Sequence, residues 1–104
     1  MSKEKQMVAD TIEEMKNNID LFYQQKTREA LSGFDGILEK LLGVTDTLFS
    51  YRQEHEEFAL DEERIKENLT EAMKALEECD MILLADILQY DFVEYIEEIM
   101  ENME

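Results

Sequence analysis

The sequence predicts an all-α protein, an antiparallel bundle of three or four helices with one long N-terminal helix. Three observations predict it. The 104 residues include no proline. The only glycines, Gly33, Gly36 and Gly43, fall in one short region, so helix breakers are nearly absent elsewhere. Apolar residues recur at steps of three and four, which stacks them on one helix face, whereas a strand would alternate them.

Taken in order, Val8, Ile12, Met15, Ile19 and Phe22 form the first stripe. It predicts a helix from about Lys3 to about Leu31, near 45 Å long at 1.5 Å per residue, ended by Ser32 and Gly33 and reinforced by Gly36. Ile37, Leu41, Val44, Leu48, Tyr51, His55 and Phe58 carry the second, widened by Phe34, Leu38, Leu42 and Phe49 and ending near Glu57. Asp61 fits an N-cap, because its carboxylate can accept from free amides at a helix start, where Glu62 and Glu63 also suit the dipole. Ile65, Leu69, Ala72 and Leu76 then mark a short third helix. Asp80 fits a second N-cap, opening a fourth helix from Met81 to about Asn102; the alternative is one kinked rod through Cys79.

On an ideal fourth helix Leu84, Leu88, Phe92, Tyr95, Ile96, Ile99 and Met103 share one broad arc, extended by Ile82, Val93 and Met100. That arc is wider than a two-stranded coiled-coil seam and predicts contact with two or more neighbours. Asp86, Glu94, Glu97 and Glu101 occupy the polar side, and Leu83 and Tyr90 lie among these acids, either covered by another helix or available to a partner. These six residues, Leu83, Asp86, Tyr90, Glu94, Glu97 and Glu101, are the candidate protein-interaction surface.

Length and composition predict a single domain over residues 1–104, large enough to bury roughly two thirds of its unfolded surface. Apolar residues make up 44%, above the signature of disorder. Net charge is −17 and unevenly distributed: residues 1–53 carry nine acids against seven bases, residues 54–104 eighteen against three. From Ala75 to Glu104 there are ten acids and neither Lys nor Arg. Such a surface repels phosphate backbones, so direct nucleic-acid binding is strongly disfavoured; a basic or amphipathic helical protein partner, a metal ion or simple solubility remain. One cysteine, no apolar run of membrane-spanning length and a polar start after Met1 predict a cytoplasmic protein with no membrane partner.

Motifs for chemistry are wanting. Di-iron bundles need Glu-x-x-His pairs, and the residue three before the single histidine, His55, is Arg52. No segment has the order of a calcium-binding EF-hand loop, and no glycine loop suits a phosphate. Cys79 and His55 fall in different helices. No catalytic residue, cofactor or metal ligand is assigned, and the expected function is non-enzymatic. Seven methionines suit either adaptable binding or core filling; the place of Met15 in the first stripe favours the core.

The segment Leu83-Leu84-Ala85-Asp86-Ile87-Leu88-Gln89-Tyr90-Asp91, with Ala72 to Asp80 before it, resembles small, acidic, all-helical proteins of Gram-positive bacteria that have no assigned activity. The resemblance implies a bacterial helical protein and no mechanism. The leading expectation is a protein–protein interaction module, adaptor or chaperone-like, forming a homodimer through the first or fourth helix. An acidic nucleic-acid mimic acting on a basic DNA- or RNA-binding protein is the second expectation, and a carboxylate metal-binding protein the third.

Overall fold

A computed structural model describes residues 3–103; Met1, Ser2 and Glu104, the last of the ten terminal acids, lie outside the described residues. Helix α1 spans Lys3–Tyr23, α2 Thr27–Glu54 and α3 Glu62–Glu77. The fourth rod, α4, covers residues 81–100 in three parts: α-helical Met81–Asp86, π-helical Ile87–Val93 and α-helical Glu94–Met100. The fold is all-α, as the apolar spacing predicts, and no strand occurs among the described residues.

The predicted break after Leu31 is displaced. α1 ends at Tyr23, after 21 residues, and α2 with 28 residues is the longest helix. Gln25 takes the left-handed conformation at φ 62°, its amide bonds back to Phe22 O, and the Lys26 amide to Leu21 O. These two bonds satisfy carbonyls that the helix end leaves free. The elbow is then pinned from both sides. Asn18 Nδ2, in a buried side chain, donates to Ala30 O at 2.9 Å, and the rings of Phe22 and Phe34 meet edge-on at 6.0 Å. Gly33 and Gly36 lie inside α2, where a Cβ would meet nothing within 4 Å, so neither serves a turn. A glycine in a helix costs about 1 kcal/mol relative to alanine, which the packing of a long helix readily offsets.

The α3–α4 connection uses the same device. Cys79 has φ 57°, its amide bonds to Leu76 O, and the Asp80 amide reaches Ala75 O. The two helices are thus separate, and the kinked-rod alternative does not hold. Asp61 and Asp80 cap as predicted, each carboxylate accepting at 3.1 Å from the amide three residues on, Arg64 and Leu83.

Contacts between elements fix an antiparallel order. Along α1, Glu14 pairs with Lys40 and Thr47 Oγ1 reaches the Met7 sulfur, so α2 runs back beside it. On its other flank, Lys5 donates to Met103 O, Lys16 to Glu97 and Tyr23 to Asp86, so α4 also runs opposite to α1. α3 lies against α4, again antiparallel: the Asp61 amide donates to Tyr95 Oη, and Asn68 Nδ2 to Asp91 O. Between α2 and α3 the chain packs Phe58 and Leu60 inward, with Tyr51 against Phe58 edge-on and Arg52 donating to Leu60 O.

Every member of the first stripe is buried, and so are Leu84, Leu88, Phe92, Tyr95, Ile96 and Ile99 of α4 and Met103 just beyond it. They join Leu41, Val44, Leu48 and Ile65 in one core. The methionine expectation holds where it is sharpest: Met15 and Met103 are buried, and Met7, Met73, Met81 and Met100 pack partly buried against the same core. No helix among the described residues is long and apolar enough to cross a membrane.

Candidate functional site

In an α-helix each amide bonds four residues back; at Glu94 it bonds five back, to Gln89 O, which inserts an extra residue into the turn. This changes which side chains share a face. Ile87 becomes buried with the α4 arc, as Val93 does in keeping with its expected place, while Ile82, also expected to extend that arc, is 47% exposed. Asn68, itself buried, crosses from α3 to give Asp91 O in the π turn a side-chain donor at 2.8 Å.

Leu83 lies on the α3 side of α4 and is 43% exposed. Together with Ala75 and Ile87 it floors a groove of about 330 Å³ between the two helices. Glu71, Glu78 and Asp91 stand along the groove, with Lys74 the one base. Leu83, Ile87 and Asp91 follow one another at steps of four on α4, and Glu71, Ala75 and Glu78 at steps of four and three on α3, so each helix presents a continuous row. The result is an apolar strip bordered by three carboxylates, complementary to a helix with an apolar face and basic flanks.

The other expected site residues do not gather there. Asp86 turns toward α1, where its carboxylate accepts the Tyr23 phenol at 2.6 Å. Partial burial, then that hydrogen bond, then the charges of Asp86 and Tyr90 hold the Tyr23 phenol above its usual range. Tyr90 is 59% exposed and does not line the groove that Leu83 lines. Glu97 is half-buried and pairs with Lys16 at 2.7 Å, fastening α4 to α1. Glu94 and Glu101 are exposed. Sequence reasoning missed Ile87, Asp91 and the whole α3 wall. The steps of four from Leu83 to Asp91 were available as a signal, but the ideal helix put Leu83 and Tyr90 together instead.

His55 stacks on Tyr51 with ring centroids 3.9 Å apart at the C-terminus of α2. Cys79 is exposed beyond the far end of α3, so the length of that helix, about 24 Å, separates the two. No group of three or more His, Cys, Asp or Glu side chains among the described residues is placed to hold a metal ion.

No curated protein and no solved structure matches this chain significantly. The profile of one family does match, over residues 1–102, and by that coverage the chain belongs to the family described as Domain of unknown function (DUF8042).

Proposed function

We propose that this chain is a non-enzymatic, cytoplasmic interaction module, adaptor or chaperone-like, of a bacterial cell, and that it receives a basic amphipathic helix of another protein in the α3–α4 groove. The observation that carries the reading is Leu83: a large apolar side chain, 43% exposed, over a floor of Ala75 and Ile87 and among Glu71, Glu78 and Asp91. Burying the exposed part of Leu83 would contribute about 1 kcal/mol, and lysines on the incoming helix would meet the carboxylates. Steering by the net charge of −17 would speed encounter and make it salt-sensitive.

The nucleic-acid mimic has less support, because its charges should stand free in rows. Glu97 is engaged by Lys16, and Asp86 lies half-buried under Tyr23.

A photo-crosslinking side chain placed at Leu83 tests the proposal against the same group at Glu57. Position 83 should capture a protein with a basic amphipathic helix, and reversing Glu71, Glu78 and Asp91 to Lys should abolish capture. Equal capture at both positions, or capture indifferent to charge reversal, contradicts the reading.

A further inference from the structure

A second apolar surface lies on α2, away from the groove. Leu31 and Leu42 are 40% and 49% exposed, while Leu38 and Phe49 are half-buried. At 100° per residue the four fall within about 40° of arc. That arc is turned away from Lys40 and Thr47, which face α1, and flanks the buried row of Phe34, Leu41 and Leu48. Among the described residues, Leu31 and Leu42 of this stripe are left exposed by the rest of the fold.

We infer that this face of α2 is a homodimer interface, in which two copies pair their α2 helices antiparallel about a two-fold axis. Two features select a second copy as the occupant. The first is spacing: Leu31, Leu38, Leu42 and Phe49 are separated by seven, four and seven residues, which reads the same in both directions. A two-fold interface must be self-complementary. An antiparallel copy meets that condition along the whole stripe, setting Leu31 against the partner's Phe49 and Leu38 against the partner's Leu42.

The second feature is charge. Two copies at net −17 repel each other through most of their surfaces, since residues 54–104 carry eighteen acids against three bases. On the stripe side of α2, Arg28 stands against Asp35, Glu39 and Asp46, since Lys40 is taken by Glu14 of α1 and Arg52 by Glu62. That is a net of −2, against −15 over residues 54–104, so like copies meet less repulsion there than through the acidic half of the chain. This proposal sets the pairing on α2, in place of the expected first or fourth helix: α1 is flanked by α2 and α4, and α4 carries the acids. The inference is independent of the groove, because the two surfaces lie on different helices and respond oppositely to salt.

Sedimentation equilibrium on the full chain, from low to high micromolar concentration, tests it. The wild type should be a dimer that tightens as salt rises and screens the repulsion between copies. Leu42→Glu and Leu31→Glu should each weaken the dimer by at least about tenfold while keeping the wild-type circular dichroism, and Leu83→Glu should remain dimeric. A monomeric mass at all concentrations in both low and moderate salt overturns the inference. So does a dimer that Leu42→Glu leaves intact or that Leu83→Glu dissociates. Should a glutamate variant fail to fold, register is read in a Cys79→Ser background. Chains with Leu38→Cys mixed with chains with Leu42→Cys should form a disulfide-linked dimer that neither forms alone, and its absence from the mixture overturns the pairing.

Discussion

Asn68 donates its side-chain amide to the main-chain carbonyl of Asp91 at 2.8 Å, tying the middle of α3 to the π turn of α4. The bond fixes the distance between the two walls of the groove. Removing a buried donor leaves its acceptor without a partner, which costs about 1–3 kcal/mol. Asn68→Ala should lower stability by that amount in urea unfolding, with an unchanged slope. Asn68→Asp should cost more, since it sets a carboxylate against a carbonyl oxygen. An unchanged midpoint for both variants would count against the coupling.

The π turn holds one residue more than an α-helical turn of the same rise. Deleting Tyr90, which is 59% exposed, should convert it to α-helix and leave the flanking parts of α4 in register. The deletion variant should keep a cooperative thermal transition, whereas deleting fully buried Leu84 should abolish folding. Loss of cooperativity on deleting Tyr90 would mean that the π geometry itself is required for stability.

Helix ends provide a third prediction. Gln25 and Cys79 sit in the left-handed region, which costs a residue with a Cβ roughly 1 kcal/mol. Gln25→Gly and Cys79→Gly should each raise stability by about 0.5–1 kcal/mol. Gly33→Ala and Gly36→Ala should stabilise by a similar amount, because the new methyl meets no neighbour within 4 Å. Chemical denaturation of the four single variants checks both halves, and a destabilised Gly33→Ala would place a missing constraint at that position.

Those positions also mark how far the fold could be read from the chain. The stripe Val8 to Phe22 was legible because five apolar residues keep helical spacing, and Asp61 and Asp80 because a carboxylate before a helix has a specific job. The elbow at Gln25 was not. Glutamine has no intrinsic preference for that conformation, and what fixes it is tertiary: Phe22 on Phe34, Asn18 on Ala30 O. In the site, the place of Leu83 among acids was legible, while its exposure is set by how α3 packs beside it. Its separation from Tyr90 was not, since nothing in Ile87 to Val93 announces a π turn, and the roles of Asp86 and Glu97 depend on Tyr23 and Lys16, which the fold brings from α1.

Tyr23 gives a pH prediction. Its phenol pKa is raised above the ordinary 10.0 by burial, the hydrogen bond to Asp86 and nearby charge. The folded state therefore keeps the proton longer than the unfolded chain does. This contribution is fully present below pH 10 and is lost as pH rises above it. At pH 8, Tyr23→Phe should be less stable by about 0.5 kcal/mol, a small value because Tyr23 is 37% exposed and solvent screens the bond. Above pH 10 the gap between wild type and variant should narrow; a gap that widens contradicts the assignment.

Docking of a basic amphipathic helix in the α3–α4 groove, as proposed, is tested by an NMR titration of the labelled protein with a leucine–lysine model helix. Amide shifts should concentrate at Ala75, Leu83, Ile87 and Asp91, saturate, and vanish in Leu83→Glu, while a leucine–glutamate helix should produce none. Shifts spread evenly over all acidic faces, or none at the groove, would contradict the account.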